Sequence, residues 1–458
     1  MQAVFAKQAL LPNGWWNDVR VTITTDGRIA EVQSNAAKKA GDRTVSNLLA
    51  APANAHSHAF QRAMAGRTEM RGRDTAHGAP DTFWTWRQEM FRFLDRINPD
   101  DVEAIAALVQ MEMLEAGYAT NVEFHYLHHA PGGVPYDDVA EMSARIVTAA
   151  RQTGIGLTLL PVLYRHGGCD GRELASGQVR FGNDPDRFER LYDGAAAAIH
   201  TLPADAAIGV APHSLRAVGR DDIHRTIELA GDGPIHIHLA EQVAEVAEVE
   251  AHHGARPVEW LLDNADVNER WCAIHCTQML PHETQALAKS GAIAGLCPIT
   301  ESSLGDGIFE APTWLEAGGA IAIGSDSNIR ISLAEELRTL EYSQRLRDKA
   351  RAVLATPEIS TGRRLFNAIC AGGARAAGRR SGAIAEGYWA DLLALDGDEA
   401  NLFDGRQDYL LDAWLFAGSD RFVSDVWSAG RHMVENGHHI HRNGIVSRYR
   451  KTMERLTA

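Results

Sequence analysis

Short apolar runs alternate with longer segments of helical period over most of the chain. Eight runs can be counted: Leu48–His58, Ala119–Tyr126, Gly156–Tyr164, Ala206–Ser214, Pro234–Glu241, Trp271–Cys276, Ala292–Pro298 and Ala320–Ser327. Between them, segments such as Asp101–Ala116 and Asp137–Thr153 carry apolar residues at helical spacing. Runs and helices in turn predict βα units around a parallel sheet, and eight of them predict an α/β fold with a TIM-type (β/α)8 barrel.

Each run is apolar where it starts and polar where it ends. The ends carry His56 and His58; Glu123, His125 and Tyr126; Tyr164; His213; His238 and Glu241; His275; Cys297; and Asp326. Core packing does not repeat such a pattern eight times by chance. Strand C-termini form the active face of such a barrel, so these side chains are expected to converge.

The two ends of the chain read differently. Alternating segments at Val19–Ile23 and Ile29–Val32, separated by Asp-Gly, have a counterpart in Gly387–Asp396 and Phe422–Gly437. They are expected to pair as one small β-sandwich. The expected division is residues 1–47 for its N-terminal part, 48–384 for the barrel, and 385–458 for its C-terminal part and a tail.

Composition narrows the function classes. A chain of 458 residues, 45% hydrophobic, can bury a large core. Neither a run of 18 apolar residues nor a signal-peptide pattern occurs, and a cytoplasmic location is expected. The formal charge of −15 argues against a phosphate-binding stripe, and the ligand is expected to be small. Cys169, Cys272, Cys276, Cys297 and Cys370 are scattered, without a C-x-x-C, as suits reduced thiols. No lysine occurs between Lys39 and Lys289, which removes a Schiff-base lysine from most of the chain.

The strongest chemical signal is His56-Ser57-His58, since a strand's period of two sends residues i and i+2 to one face. His236 and His238 repeat the spacing on the fifth run, and Asp326 ends the eighth. A lone H-x-H is more often structural. Their joint placement at strand ends points to a divalent ion, most simply Zn²⁺, on His56, His58, His238 and Asp326, with His236 packing behind them.

These features resemble the amidohydrolase superfamily, and the likeness covers nearly the whole chain. It rests on the H-x-H of strand one, histidines on strands five and six, Asp on strand eight, Gly387–Leu393, and the Val423–Arg431 pattern. Longer pieces are similar to the bacterial branch that deiminates N-formimidoyl-L-glutamate in histidine degradation. They are His56–Arg62, Phe83–Arg87, Glu123–Tyr126, His213–Ala217, His236–Glu241 and Leu304–Phe309. Ala50-Ala51 and Glu301-Ser-Ser depart from the usual Pro-Gly and Glu-Ala-Asn, without removing a ligand.

The resemblance implies a metal-dependent hydrolase that releases ammonia from an amidine carbon, and homodimers are common among such barrels. One ion per chain is expected, because the bridging lysine or glutamate of two-metal members is missing from Ala206–Ser214. Glu241 is expected to protonate the departing nitrogen, with His275 and Asp326 sharing the proton of the attacking water. Arg87 and Arg216 are expected to bind the substrate's carboxylates, since guanidinium forks suit them. Gln61 and Tyr126 match the motifs as neutral hydrogen-bonding groups, and His213 supports the same region. Trp84 and Trp86 are expected to pack beneath a loop, and His128 and His129 to lie at the surface. The rival readings are another mononuclear aminohydrolase, of the guanine or adenosine deaminase type, and a barrel that serves only as a scaffold.

Overall fold

Alternating positions in the first fifty residues form β1 (Gln2–Leu11), β2 (Gly14–Ile23), β3 (Ile29–Gln33) and β4 (Arg43–Ala50). They come from a computed structural model, which describes residues 2–69, 83–397, 402 and 407–458. The barrel follows as β5 (Ala53–Ser57), β6 (Thr120–His125), β7 (Gly156–Leu163), β8 (Ala207–Ile208), β9 (Ala211–Pro212), β10 (Ile235–Leu239), β11 (Trp271–His275), β12 (Ile293–Leu296) and β13 (Ala320–Ile323). β5–β6–β7 and β10–β11–β12–β13 pair in parallel, and β8 and β9 both pair in parallel with β7. Bridges from Ser57 to Asp326, Val210 to Ile235 and Ser214 to His238 join the two halves into a closed barrel.

Two runs differ from their expected form. Leu48–His58 is two strands, because the chain leaves β4 at Ala50 and restarts beyond Pro52 as β5. The expected boundary between 47 and 48 therefore falls inside β4. Ala206–Ser214 is interrupted at Gly209, where a Cβ would lie 2.3 Å from the Pro234 carbonyl oxygen. Only glycine allows that approach.

β14 (Leu392–Leu395), β15 (Val423–Ser428), β16 (Arg431–Glu435) and β17 (His438–His439) return to the first four strands. The result is one eight-stranded sheet, ordered β17-β16-β15-β14-β4-β1-β2-β3. The C-terminal segment expected as a tail is a helix, Arg442–Thr457. Arg448 and Arg455 pair it to Glu103 and Asp101 of the helix Pro99–Glu115.

Buried charges join sheet to barrel. Arg379 lies 3.0 Å from Asp391 and 3.2 Å from Asp205, and Arg431 lies 2.6 Å from Asp205. Asp391 also accepts from Ala429 N–H at 2.7 Å. Buried carboxylates need such partners, and here they come from both units.

Candidate metal centre and cleft

β5 carries His56 and leads into His58, β10 carries His238, and Asp326 follows β13. Their approach depends on Gly324, where a Cβ would lie 2.6 Å from that of His56. His56 Nε2 is 3.2 Å from His58 Nε2, 3.1 Å from His238 Nε2 and 3.5 Å from Asp326 Oδ1; His58 Nε2 is 3.2 Å from the same oxygen. Ligands about 2.0–2.1 Å from a tetrahedral zinc are spaced about 3.3 Å apart, which these four distances match; the donors fall into two groups that share His56, one with His58 and Asp326 and the other with His238 and His275.

The protonation pattern agrees. Burial drives His56 down to about 3 and lowers His58 and His238, which keeps the imidazoles neutral. His58 Nδ1 donates to the Phe124 carbonyl at 2.9 Å, leaving a lone pair on Nε2. Burial would raise Asp326, but the His56 hydrogen bond and the neighbouring imidazoles hold it below the usual carboxylate range.

A polar network fixes this geometry. Glu123 accepts from Ser57 Oγ and Ala59 N–H, both at 2.7 Å, and from Asn121 at 3.1 Å. Asn328 donates to Ser57 Oγ at 3.1 Å and accepts from Ser325 Oγ at 2.6 Å, while Asn54 donates to Ser325 at 2.7 Å. The first and eighth staves are thus tied by side chains as well as backbone. The backbone itself bends sharply here: φ is positive at Ala240, His275, Cys276 and Asp326. L-residues adopt that region at a cost, and active sites concentrate it.

Beside the cage, His275 Nε2 lies 3.9 Å from both Asp326 Oδ2 and Glu241 Oε1, and its Nδ1 lies 3.2 Å from Glu301 Oε1. Burial opposes its charge, but Glu241, Glu301 and Asp326 outweigh burial and raise it to about 10. Glu241 is raised by burial, against the pull of His275 and Arg216. Arg216 Nη2 lies 3.7 Å from Glu241 Oε2. Glu245 accepts from the Glu241 and Ala240 amides and sets the turn that aims Glu241.

One cavity runs from this centre. Every expected site residue except His56 lines it, and His56 is fully buried beneath. Gln61 donates to Tyr126 OH at 2.7 Å, Arg87 to Tyr164 OH at 2.6 Å, and His213 pairs with Ser214 Oγ at 3.0 Å. The cavity therefore has the ligand cage at one place and two guanidinium groups on its wall, a distribution suited to a small anion.

Some expectations change. His128 and His129 are buried, not superficial, because their Nε2 atoms meet Val162 O at 3.0 Å and Gly182 O at 2.9 Å. Trp86 packs against the core and also lines the cavity, whereas the Trp84 side chain lies outside the described residues. His236 turns away and bonds to Ala376 O at 2.8 Å. Tyr164 stands out in the sequence only as a polar strand end and Glu301 only within a motif, neither with a role in the site. Glu301 sits in the first turn of the helix Pro298–Leu304 and also accepts from Cys297 N–H, so in sequence it looks like an ordinary helix-start acid.

Comparisons with known proteins bear on the family and the fold. Residues 47–433 match the amidohydrolase family, and residues 1–46 match the N-terminal domain of the formimidoylglutamate deiminase HutF. The chain is 47% identical over 442 residues to formimidoylglutamate deiminase of Pseudomonas aeruginosa, covering 96% of each. The crystal structure of an amidohydrolase from Brucella melitensis superposes with a TM-score of 0.95 at 46% identity, over 100% of both chains. A zinc-bound adenosine deaminase of Xanthomonas campestris shares the fold, with a TM-score of 0.81 at 22% identity over 100% and 98% of the two chains.

Proposed function

This chain belongs to the amidohydrolase family and, within it, to the formimidoylglutamate deiminases, and from that premise we propose how its residues divide the reaction. The enzyme is metal-dependent and hydrolyses N-formimidoyl-L-glutamate to N-formyl-L-glutamate and ammonia in histidine degradation. His56, His58, His238 and Asp326 would hold one Zn²⁺ per chain; the observation that supports this is that His56 Nε2 lies 3.1–3.5 Å from a donor atom of each of the other three, with the imidazoles kept neutral by burial. When bound, such an ion lowers the pKa of the attacking water to about 7.

The protein groups then manage protons and position. Asp326, kept as a carboxylate, takes a proton from the water, and His275, held through Nδ1 by Glu301, hydrogen-bonds the attacking oxygen. Water adds to the amidine carbon while the proton taken by Asp326 passes to the imino nitrogen. Glu241 delivers the proton that completes ammonia as the carbon-nitrogen bond breaks, and regains one from the hydroxyl group as the formyl C=O forms. Arg87 and Arg216 hold the carboxylates, with Gln61, Tyr126 and His213 shaping the space between them and the cage.

We extend the proposal to a cytoplasmic homodimer. The five free cysteines suit a reducing compartment. Sedimentation of the purified enzyme tests the dimer.

The central experiment measures ammonia release from N-formimidoyl-L-glutamate beside formimidoyl derivatives of neutral amino acids, with the metal content determined on the same sample. Turnover confined to the acidic derivative, at one ion per chain, is expected. Equal turnover of neutral derivatives or of purines would overturn the substrate assignment, and two ions in fully active enzyme would overturn the stoichiometry.

A further inference from the structure

Tyr164 follows β7 on the cavity wall and is 4% exposed. Its ring lies against His213, with centroids 4.4 Å apart, and against Phe181 at 5.7 Å, so its direction is set by packing. Its hydroxyl oxygen receives two hydrogen bonds. Arg87 Nη2 donates at 2.6 Å and Gln178 Nε2 at 2.8 Å. The orientation of Gln178 is not arbitrary, because its Oε1 accepts from the Ala175 amide at 2.8 Å, which turns the NH₂ toward Tyr164.

A phenol can both accept and donate. Here both neighbours are donors, so neither can take the phenolic proton, and among the described residues Tyr164 has no hydrogen-bond acceptor. A buried hydroxyl beside a guanidinium, with its proton uncommitted in a ligand cavity, is an anion donor awaiting its acceptor.

We propose that Tyr164 is a further specificity-determining residue, which donates its hydroxyl proton directly to the substrate carboxylate held by Arg87. The inference rests on the reading of Arg87 as a carboxylate ligand. Gln178 is a positioning residue, since it reaches the substrate only through Tyr164. Together they turn a single charged contact into a two-donor cradle, which discriminates against a carboxamide because the NH₂ of an amide cannot accept from either donor.

Tyr164→Phe keeps the ring and removes the donor. Its kcat/KM for N-formimidoyl-L-glutamate should fall on the order of 10- to 100-fold, mainly through KM, the span of one hydrogen bond to a charged group. Metal content should stay at the wild-type value. The same variant is then assayed on the formimidoyl derivatives of glutamine and isoglutamine, each lacking one carboxylate. For one of them the penalty should shrink to nearly nothing, which identifies the carboxylate concerned.

The deciding arm adds Tyr164→Phe to Arg87→Met. A further loss relative to Arg87→Met alone is expected, because the hydroxyl touches the substrate itself. No further loss would mean that Tyr164 acts only through Arg87, and the proposal would fall while the acidic-substrate reading stood. Wild-type kinetics for Tyr164→Phe would overturn it as well. If the wild-type enzyme does not distinguish the dicarboxylate from either amide, the reading of Arg87 fails and takes this inference with it.

Discussion

The two arginines of the cavity look equivalent in sequence, but their surroundings predict different kinetic signatures. Arg87 donates to a neutral phenol, whereas Arg216 lies 3.7 Å from the Glu241 carboxylate, both side chains being buried. At an effective dielectric constant of about 20, opposite unit charges at that distance attract by about 4 kcal/mol. Truncating Arg216→Met therefore does two things. On the proposed reading it leaves a substrate carboxylate without its fork, and it leaves Glu241 without the cation that favours its ionised form.

Loss of one member of a buried charge pair costs roughly 2 to 5 kcal/mol, which corresponds to a fall in kcat/KM on the order of 30- to 5,000-fold. For Arg216→Met the loss should be shared between KM and kcat, because the proton affinity of Glu241 rises and its delivery of a proton slows. For Arg87→Met it should lie mostly in KM. Steady-state ammonia release on both variants, with metal content measured in parallel, resolves the split. Identical kcat in Arg216→Met and wild type would refute the coupling to Glu241. Wild-type kcat/KM in both variants would show that neither arginine binds substrate.

Other consequences can be tested on the same preparation. Glu241→Gln should keep its metal and lose turnover on the order of 10²- to 10⁴-fold, the usual reach of general acid–base catalysis; a near wild-type kcat would remove Glu241 from the mechanism. Glu301→Gln should lower kcat by about 10- to 100-fold with little change in KM, as expected for a group that orients a reacting histidine, and a change confined to KM would contradict that role. Asp391→Asn leaves Arg379 buried with less compensation and should destabilise the fold by about 3 kcal/mol in denaturant unfolding, without altering KM. An unchanged midpoint would mean that the Arg379–Asp391 pair does not stabilise the junction of sheet and barrel.

Much of the site can be read before any coordinates, because its residues sit where a strand pattern ends. His56, His58, His238, His275 and Asp326 all mark the polar end of an apolar run, and the barrel makes those ends converge. What escapes is whatever depends on a partner distant in sequence. Tyr164 gains its significance from Arg87 and Gln178, one on a helix 77 residues away and the other in a loop. His128 and His129 are buried by carbonyls at 162 and 182, which no local periodicity predicts. The break at Pro52 is hidden for a related reason: both sides of it are apolar, and only the pairing of β4 with β1 and β14 shows that the chain has changed sheets.

The positive φ angles at Ala240, His275, Cys276 and Asp326 bear on how this centre could be moved or rebuilt. Left-handed backbone costs an L-residue on the order of 1 kcal/mol, so four such positions oppose folding by several kcal/mol, a sizeable share of a domain's net stability. A graft that copies the histidines and aspartate onto an idealised barrel would take straighter, relaxed strand ends and aim its imidazoles elsewhere. Transplanting the chemistry therefore means transplanting the bends as well, on a scaffold with enough surplus stability to hold them.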